Sequence, residues 1–144
     1  KVGFACAAPG LTEAFAKAHQ FLTFTTPPPL QVAVATGLAL PGDWFDAARA
    51  RFVRARDRLA AALVAGGWRL LPTKGSYFLM ADLAASGVAL GDREFCEAAV
   101  ARAGVAAIPL SAFQPDGTQT PFIRLCFAKQ DTTLAQAAEV LCRL

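Results

Sequence analysis

The chain has 144 residues, enough for one domain with a sizeable core, and 55% of them are hydrophobic while 17% are charged. No apolar run reaches the roughly 18 residues that a membrane span needs, and the net charge of +3 comes without an aromatic-interleaved basic motif. The composition argues against membrane and nucleic-acid partners. Its apolar excess favours a globular protein with part of its surface covered by something else.

The first 41 residues predict one strand and two helices. Residues 2–8 form a short apolar run that indicates a buried strand, broken by Pro9-Gly10. A helix is expected over residues 13–21 with Thr12 as N-cap, and a second over residues 30–40, opened by Pro29. The second helix has no charged residue, which is typical of a helix buried on every side.

From Asp43 onward the pattern predicts a helix, two strands, a helix, two strands and a closing helix. The expected ranges are 44–65, 68–71, 76–82, 92–103, 105–108, 122–128 and 132–144, with a loop over 111–121 and Asp131 or Thr132 capping the last helix. This order suits an α/β fold in which helices pack on a mixed sheet. We expect residues 1–41 to belong to a different, larger core, and residues 42–144 to form one small domain.

The cysteines and the histidine offer little chemistry. Cys6, Cys96, Cys126 and Cys142 are widely spaced in apolar settings, which favours free buried thiols in a reduced, cytoplasmic protein. His19 is the single histidine, so no metal site is expected. Its position in an apolar helix favours a structural role over a catalytic one.

Arg124 is the only charged residue in the strand-like run FIRLCFA. Strand alternation places Phe122, Arg124 and Cys126 on one face of the sheet. A buried guanidinium needs a partner, because an unpaired buried charge is costly. The residues leave two alternatives open: an internal Asp or Glu, or a ligand carboxylate that matches the planar fork of arginine.

Five segments carry a resemblance that covers essentially the whole chain: KVGFACAAPG, HQFLTFTTPPPLQVAVA, KGSYFLMADL, GVAAIPLSAF and FIRLCFAKQDTTLAQAAEVL. In this order they resemble the C-terminal third of class I aminotransferases of fold type I, most of all the kynurenine and methionine (glutamine-type) subgroup. The resemblance implies a pyridoxal 5'-phosphate-dependent parent enzyme, acting as a homodimer on amino acids and 2-oxo acids. It also implies that residues 1–41 are a remnant of the large cofactor-binding domain and residues 42–144 the C-terminal small domain.

The resemblance assigns roles to four residues. Arg124 matches the strand arginine that binds the substrate α-carboxylate, and Phe24 and Thr25 match a loop that lines the partner subunit's substrate pocket. Lys1 matches the basic residue that contacts the cofactor phosphate. The Schiff-base lysine of the family is expected eight residues upstream of Lys1, so no catalytic residue is assigned here and this chain alone is expected to be inactive.

Two other functions stay open at this point. The first is a pyridoxal-phosphate-dependent C–S β-lyase, which has the same fold. The second is a free-standing, non-enzymatic interaction domain whose apolar surface docks on a partner. The segments GSYF at 75–78 and SAF at 111–113 match regions near the family's substrate entrance, and we expect them to be structural rather than catalytic.

Overall fold

The computed structural model describes residues 2–144 and divides into two compact units, one ending at Asp46 and one running from Ala47 to Leu144. The first unit contains α1 (Pro9–Leu22) and α2 (Pro28–Leu38). Residues 2–8 have no regular structure, so the predicted strand is wrong. None of the strands found in residues 2–144 pairs with this segment, and an unpaired strand cannot satisfy its backbone groups.

The helix α1 begins four residues before the predicted start. Pro9 stands in the first turn, where its missing N–H leaves no hydrogen bond unmade, so it opens the helix instead of preceding it. Ala8 is the N-cap, and the Thr12 hydroxyl donates back to the Ala8 carbonyl oxygen at 3.2 Å. The expectation that Thr12 caps the helix is therefore wrong.

No side chain of α1 or α2 is buried. Phe21 is 86% exposed and Leu22 82%, and Val32 of the uncharged helix α2 is 65% exposed. The expectation that α2 is buried on every side does not hold within this chain, because residues 2–46 contribute no side chain to a core.

The second unit holds a four-stranded sheet, and α3 spans the boundary between the two units. The elements are α3 (Gly42–Ala65), β1 (Arg69–Leu70), β2 (Phe78–Asp82), α4 (Asp92–Ala103), β3 (Ile108–Pro109), a 3₁₀ helix (Leu110–Phe113), β4 (Phe122–Cys126) and α5 (Asp131–Leu141). This confirms the predicted order from residue 43 and the α/β class. The predicted caps of α5 are wrong: Gln130 is the N-cap, and Asp131 instead pairs with Arg58.

The strand order is β1-β2-β4-β3, and every pairing among the described strands is antiparallel rather than mixed. The reason is the position of β4. The connection through α4 brings β3 back in the same direction as β2, which would allow a parallel pair. Because β4 lies between β2 and β3, those two strands never meet.

The core lies on one face of this sheet. Leu79, Ala81, Ile123 and Leu125 are buried there, together with side chains of α3, α4 and α5 such as Leu63. The alternate residues of β2 and β4, Arg124 among them, lie on the other face and are half-buried. The sheet therefore presents Arg124 away from the core that its neighbours Ile123 and Leu125 fill.

Candidate functional site

Arg124 occupies the middle of β4 and is flanked on both sides by other strands. Its Cα is in register with Met80 of β2 and with Ile108 of β3. The pairing fixes the backbone, and the strand alternation fixes the face on which the guanidinium emerges. Strand alternation predicts Arg124 on the same face as Phe122 and Cys126, and the structure confirms it.

Two phenylalanine rings enclose the guanidinium. The Arg124 Cζ lies 4.0 Å from the centroid of the Phe78 ring and 4.7 Å from that of Phe113. Phe78 is the first residue of β2, and Phe113 is the last residue of the 3₁₀ helix. A cation over an aromatic face gains on the order of 0.5–2 kcal/mol, depending on its desolvation.

No internal carboxylate pairs with Arg124 within residues 2–144. Its Nε is buried and has no hydrogen-bond partner in that part of the chain. The sequence left two possible partners for Arg124, and the described residues do not provide the first of them, an internal Asp or Glu. The remaining hydrogen-bonding capacity of this guanidinium suits an anion supplied from outside them.

Phe78 and Phe113 were not predicted from the sequence as walls of this site. Both lie in segments, 75–78 and 111–113, that were expected to be structural. The signal for Phe78 was available: it is in register with Cys126, two residues from Arg124, which makes it a diagonal neighbour across the ladder. Phe113 could not be found this way, because a 3₁₀ helix and not a strand brings it to Arg124.

A buried carboxylate that was not predicted as part of the site is hydrogen-bonded to the 3₁₀ helix that bears Phe113. Asp92 is fully buried, and its Oδ2 accepts hydrogen bonds from the Ser111 N–H at 2.7 Å and the Thr120 hydroxyl at 2.9 Å. Its Oδ1 accepts the Arg93 N–H at 3.0 Å. Burial raises the pKa of Asp92, but the hydrogen bonds from Ser111 and Thr120 outweigh it and the net shift is downward.

The family is decided by comparison with known proteins. The model of the family described as "Aminotransferase class I and II" matches residues 1–141 of the chain. The chain belongs to this family. The resemblance that the sequence segments suggested is thereby confirmed, and pyridoxal phosphate is the cofactor that the family implies for the full-length relatives.

Among aminotransferases, the chain is 40% identical to the methionine aminotransferase of Escherichia coli over 144 residues, which cover all of this chain and 37% of that protein. It is 30% identical to the kynurenine–oxoglutarate transaminase of Dictyostelium discoideum, covering 100% of this chain and 38% of the relative. The solved structure of the N-succinyldiaminopimelate aminotransferase of Mycobacterium tuberculosis superposes with a TM-score of 0.83 at 37% identity, over 96% of this chain and 36% of that one. The chain thus spans little more than a third of the length of these aminotransferases.

Phe24 and Thr25, the other residues assigned to the substrate pocket, lie in the first unit. Phe24 follows α1 with a φ of 63°, a left-handed conformation that is uncommon for an aromatic residue, and its side chain is 74% exposed. Its N–H donates to the His19 carbonyl oxygen at 2.9 Å, which closes the end of the helix. The Thr25 hydroxyl donates to the Thr26 carbonyl oxygen at 3.3 Å, and the Thr25 side chain is exposed.

His19 supports this turn from within α1. Its Nδ1 lies 2.6 Å from the Thr23 hydroxyl oxygen, and its ring stacks on Phe15 with the two centroids 6.1 Å apart. These contacts are consistent with the structural role expected for His19. They tie the last turn of α1 to the residue that precedes Phe24.

Lys1, assigned to the cofactor phosphate by the resemblance, lies outside the described residues. Within residues 2–144 no group of three His, Cys, Asp or Glu side chains is arranged to hold a metal ion. Over the same residues no helix is long and apolar enough to cross a membrane. All four cysteines are free, but Cys6 and Cys142 are exposed, which corrects the expectation that all four thiols are buried.

Proposed function

We propose that the full-length protein is a pyridoxal-phosphate-dependent aminotransferase that moves an amino group between an L-amino acid and a 2-oxo acid. The amino acid is of the methionine, glutamine, aromatic or kynurenine type. The observation that carries this proposal is Arg124, a guanidinium without a carboxylate partner in residues 2–144, set between two aromatic rings in a chain of the aminotransferase family. In this proposal Arg124 binds the α-carboxylate of the substrate.

The arginine acts by positioning. The planar guanidinium offers parallel N–H donors that match the two oxygens of a carboxylate, so binding fixes both the place and the orientation of the substrate. Phe78 and Phe113 pack against the guanidinium and limit its movement. Pyridoxal phosphate, when bound in the full-length enzyme, supplies the electron sink that makes the Cα proton acidic. Arg124 holds the Cα–H bond in a fixed direction relative to that group.

The other assigned residues complete the proposal. Phe24 and Thr25 line the substrate pocket of the partner subunit in a homodimer, and the unusual φ of Phe24 supports a functional reason for its conformation. Lys1 contacts the cofactor phosphate. The residue that forms the Schiff base lies upstream of Lys1. The four free thiols favour a cytoplasmic enzyme.

A C–S β-lyase of the same fold is the alternative function. A lyase would also need to bind the substrate carboxylate, so the presence of Arg124 does not distinguish the two reactions. Incubation of the full-length enzyme with cystathionine separates them: a lyase releases a thiol, ammonia and a 2-oxo acid without an acceptor, whereas a transaminase requires a 2-oxo acid acceptor. Family membership argues against the third possibility, a free-standing interaction domain.

The test of the carboxylate assignment is substitution of Arg124 in the full-length enzyme. In Arg124→Ala, cofactor absorbance should be retained, while kcat/KM for the amino acid falls. Losing a charge-assisted bidentate pair costs on the order of 2–5 kcal/mol, or roughly 30-fold to several thousand-fold in kcat/KM. Arg124→Lys should recover little of this, because a point charge cannot reproduce the planar fork.

Arg54→Ala is the matched control, since Arg54 is an exposed arginine on α3 and should have no effect on kcat/KM. The melting temperature is measured on the same preparations. An Arg124→Ala enzyme that melts early but transaminates at the normal rate per folded molecule would contradict the assignment and indicate a purely structural arginine.

A further inference from the structure

The two aromatic walls of Arg124 are held in different ways. Phe78 belongs to β2 and is fixed by the ladder to β4. Phe113 lies on a 3₁₀ helix of four residues, and its side chain is 57% exposed, so few of its own contacts can fix its position. The place of the Phe113 ring therefore depends on what anchors the backbone of residues 110–113.

The anchor is the Asp92 carboxylate. Ser111, two residues before Phe113, donates its backbone N–H to Asp92 Oδ2 at 2.7 Å, and Arg93 Nε donates to the Ser111 hydroxyl oxygen at 3.1 Å. The Ser111 carbonyl oxygen in turn accepts the Gln114 N–H at 3.1 Å, which closes the turn around Phe113. The short helix is thus tied at Ser111 to the first two residues of α4, and Phe113 follows within the same turn.

The same carboxylate oxygen also reaches the strand that bears Arg124. The Thr120 hydroxyl donates to Asp92 Oδ2 at 2.9 Å, and the Asp92 N–H donates back to the Thr120 carbonyl oxygen at 3.3 Å. Thr120 Oγ1 also accepts the N–H of Phe122, the first residue of β4, at 3.3 Å. One buried carboxylate therefore sets the spacing between the Phe113 wall and the strand of Arg124.

We propose that Asp92 is a positioning residue for carboxylate binding: by tying Ser111 to Thr120 it holds the Phe113 ring against the Arg124 guanidinium. This inference rests on the proposed function of Arg124. Its hydrogen bonds join the two segments whose separation determines how the guanidinium is enclosed.

The experiment measures binding of hydrocinnamate, a carboxylate with an aromatic side chain and no amino group, to the full-length holoenzyme by calorimetry. Asp92→Asn should weaken binding about 2- to 30-fold, the range expected when one cation–π contact is lost. In transamination, KM should rise by a similar factor while kcat at saturation changes much less. Cofactor absorbance should not change.

Asp116→Asn is the matched control, because Asp116 lies exposed on the same loop and its carboxylate accepts the Thr118 N–H at 3.0 Å, a bond within the loop. Phe113→Leu tests the route: if Asp92 acts through Phe113, the double variant Asp92→Asn/Phe113→Leu should bind no more weakly than Phe113→Leu alone. Thr120→Val, which removes one donor to Asp92, should also weaken hydrocinnamate binding, by a smaller factor. This variant replaces Asp92→Asn in the test if Asp92→Asn does not fold.

Three results would overturn the inference. Unchanged affinity per folded molecule in Asp92→Asn, with only a lower melting temperature, would make Asp92 structural. Fully additive effects of Asp92→Asn and Phe113→Leu would show that Phe113 is not the route. If Arg124→Ala also binds hydrocinnamate normally, the assignment of Arg124 to the carboxylate is wrong. If Arg124→Ala loses binding while Asp92→Asn keeps it, the assignment of Arg124 stands and only the positioning role of Asp92 is wrong.

Discussion

At the scale of single residues, the half-buried Arg124 and the fully buried Asp92 differ in whether their polar atoms have partners. Arg124 gains on the order of 0.5–2 kcal/mol per aromatic face, but a buried N–H without a partner costs about 1–3 kcal/mol. The two terms are of similar size, so the enclosure of Arg124 by Phe78 and Phe113 adds little net stability. An arrangement of this kind is understandable as a binding site, where the ligand supplies the missing acceptor.

Asp92 is the reverse case, because its carboxylate is satisfied by three donors within the chain: Ser111, Thr120 and Arg93. Hydrogen bonds to a charged group contribute about 1.5–3 kcal/mol each at most, so the carboxylate should be a net contributor to folding. Its pKa in the folded chain lies below the ordinary value of 3.8 because these bonds favour the ionised form over the effect of burial.

This shift predicts the pH dependence of stability. A group whose pKa is lowered by folding contributes stability that is fully present above its unfolded pKa, here 3.8, and is lost as the pH falls through the lower folded pKa. We expect the stability difference between the wild-type chain and Asp92→Asn, measured by urea denaturation, to be constant above about pH 5 and to shrink below it. A difference that stays the same from pH 6 to pH 3 would contradict this.

At the scale of elements, the sequence predicted the α-helices and the four strands after residue 43, because each has a local signal, but it placed most of the 3₁₀ helix Leu110–Phe113 in a loop. The three-to-four-residue spacing of apolar side chains in α3, the Gly104 C-cap at a φ of 65° and the apolar run of β4 depend only on neighbouring residues. Strand directions and the strand at 2–8 were predicted wrongly, since they depend on which strands meet, and that information is not local.

The residues of the candidate site also divide into those with a local sequence signal and those without one. Arg124 could be found because a lone charge in an apolar strand is visible in the sequence. Phe113 and Asp92 could not, because they join the site through hydrogen bonds between residues 19 and 28 positions apart. Such contacts follow from the tertiary fold and leave no periodic pattern.

The packing of α3 on the sheet gives a prediction for the second unit. Leu63 is completely buried, whereas its neighbour Val64 is 55% exposed on the same helix turn. Leu63→Ala should lower the free energy of unfolding by about 2–5 kcal/mol, because it removes apolar contacts and leaves a cavity. Val64→Ala, the matched control, should change it by less than about 0.5 kcal/mol. Urea denaturation of the two variants measures the difference, and equal losses would mean that α3 does not pack as described.

At the scale of the whole molecule, the two units differ in what they bury. The unit from Ala47 to Leu144 has a core of sixteen buried apolar side chains, drawn mainly from α3, β2, α4, β4 and α5, while residues 2–46 bury none. Phe4, Leu11, Phe15, Phe21 and Leu22 are each more than half exposed. An apolar surface of this extent is typical of a segment that is covered in a larger assembly.

Hydrogen exchange on the 144-residue chain tests this difference. Amides of α1 and α2 should exchange much faster than those of β2 and β4, because helices without buried side chains open at little cost in free energy. The measurement is made over a range of concentrations, with the oligomeric state determined by light scattering. If copies of the chain cover each other's apolar helices, protection of α1 and α2 should rise with concentration while that of β4 stays constant. A verified monomer that protects α1 and α2 as strongly as β2 and β4 would contradict the prediction, since these helices would then be stable without any cover.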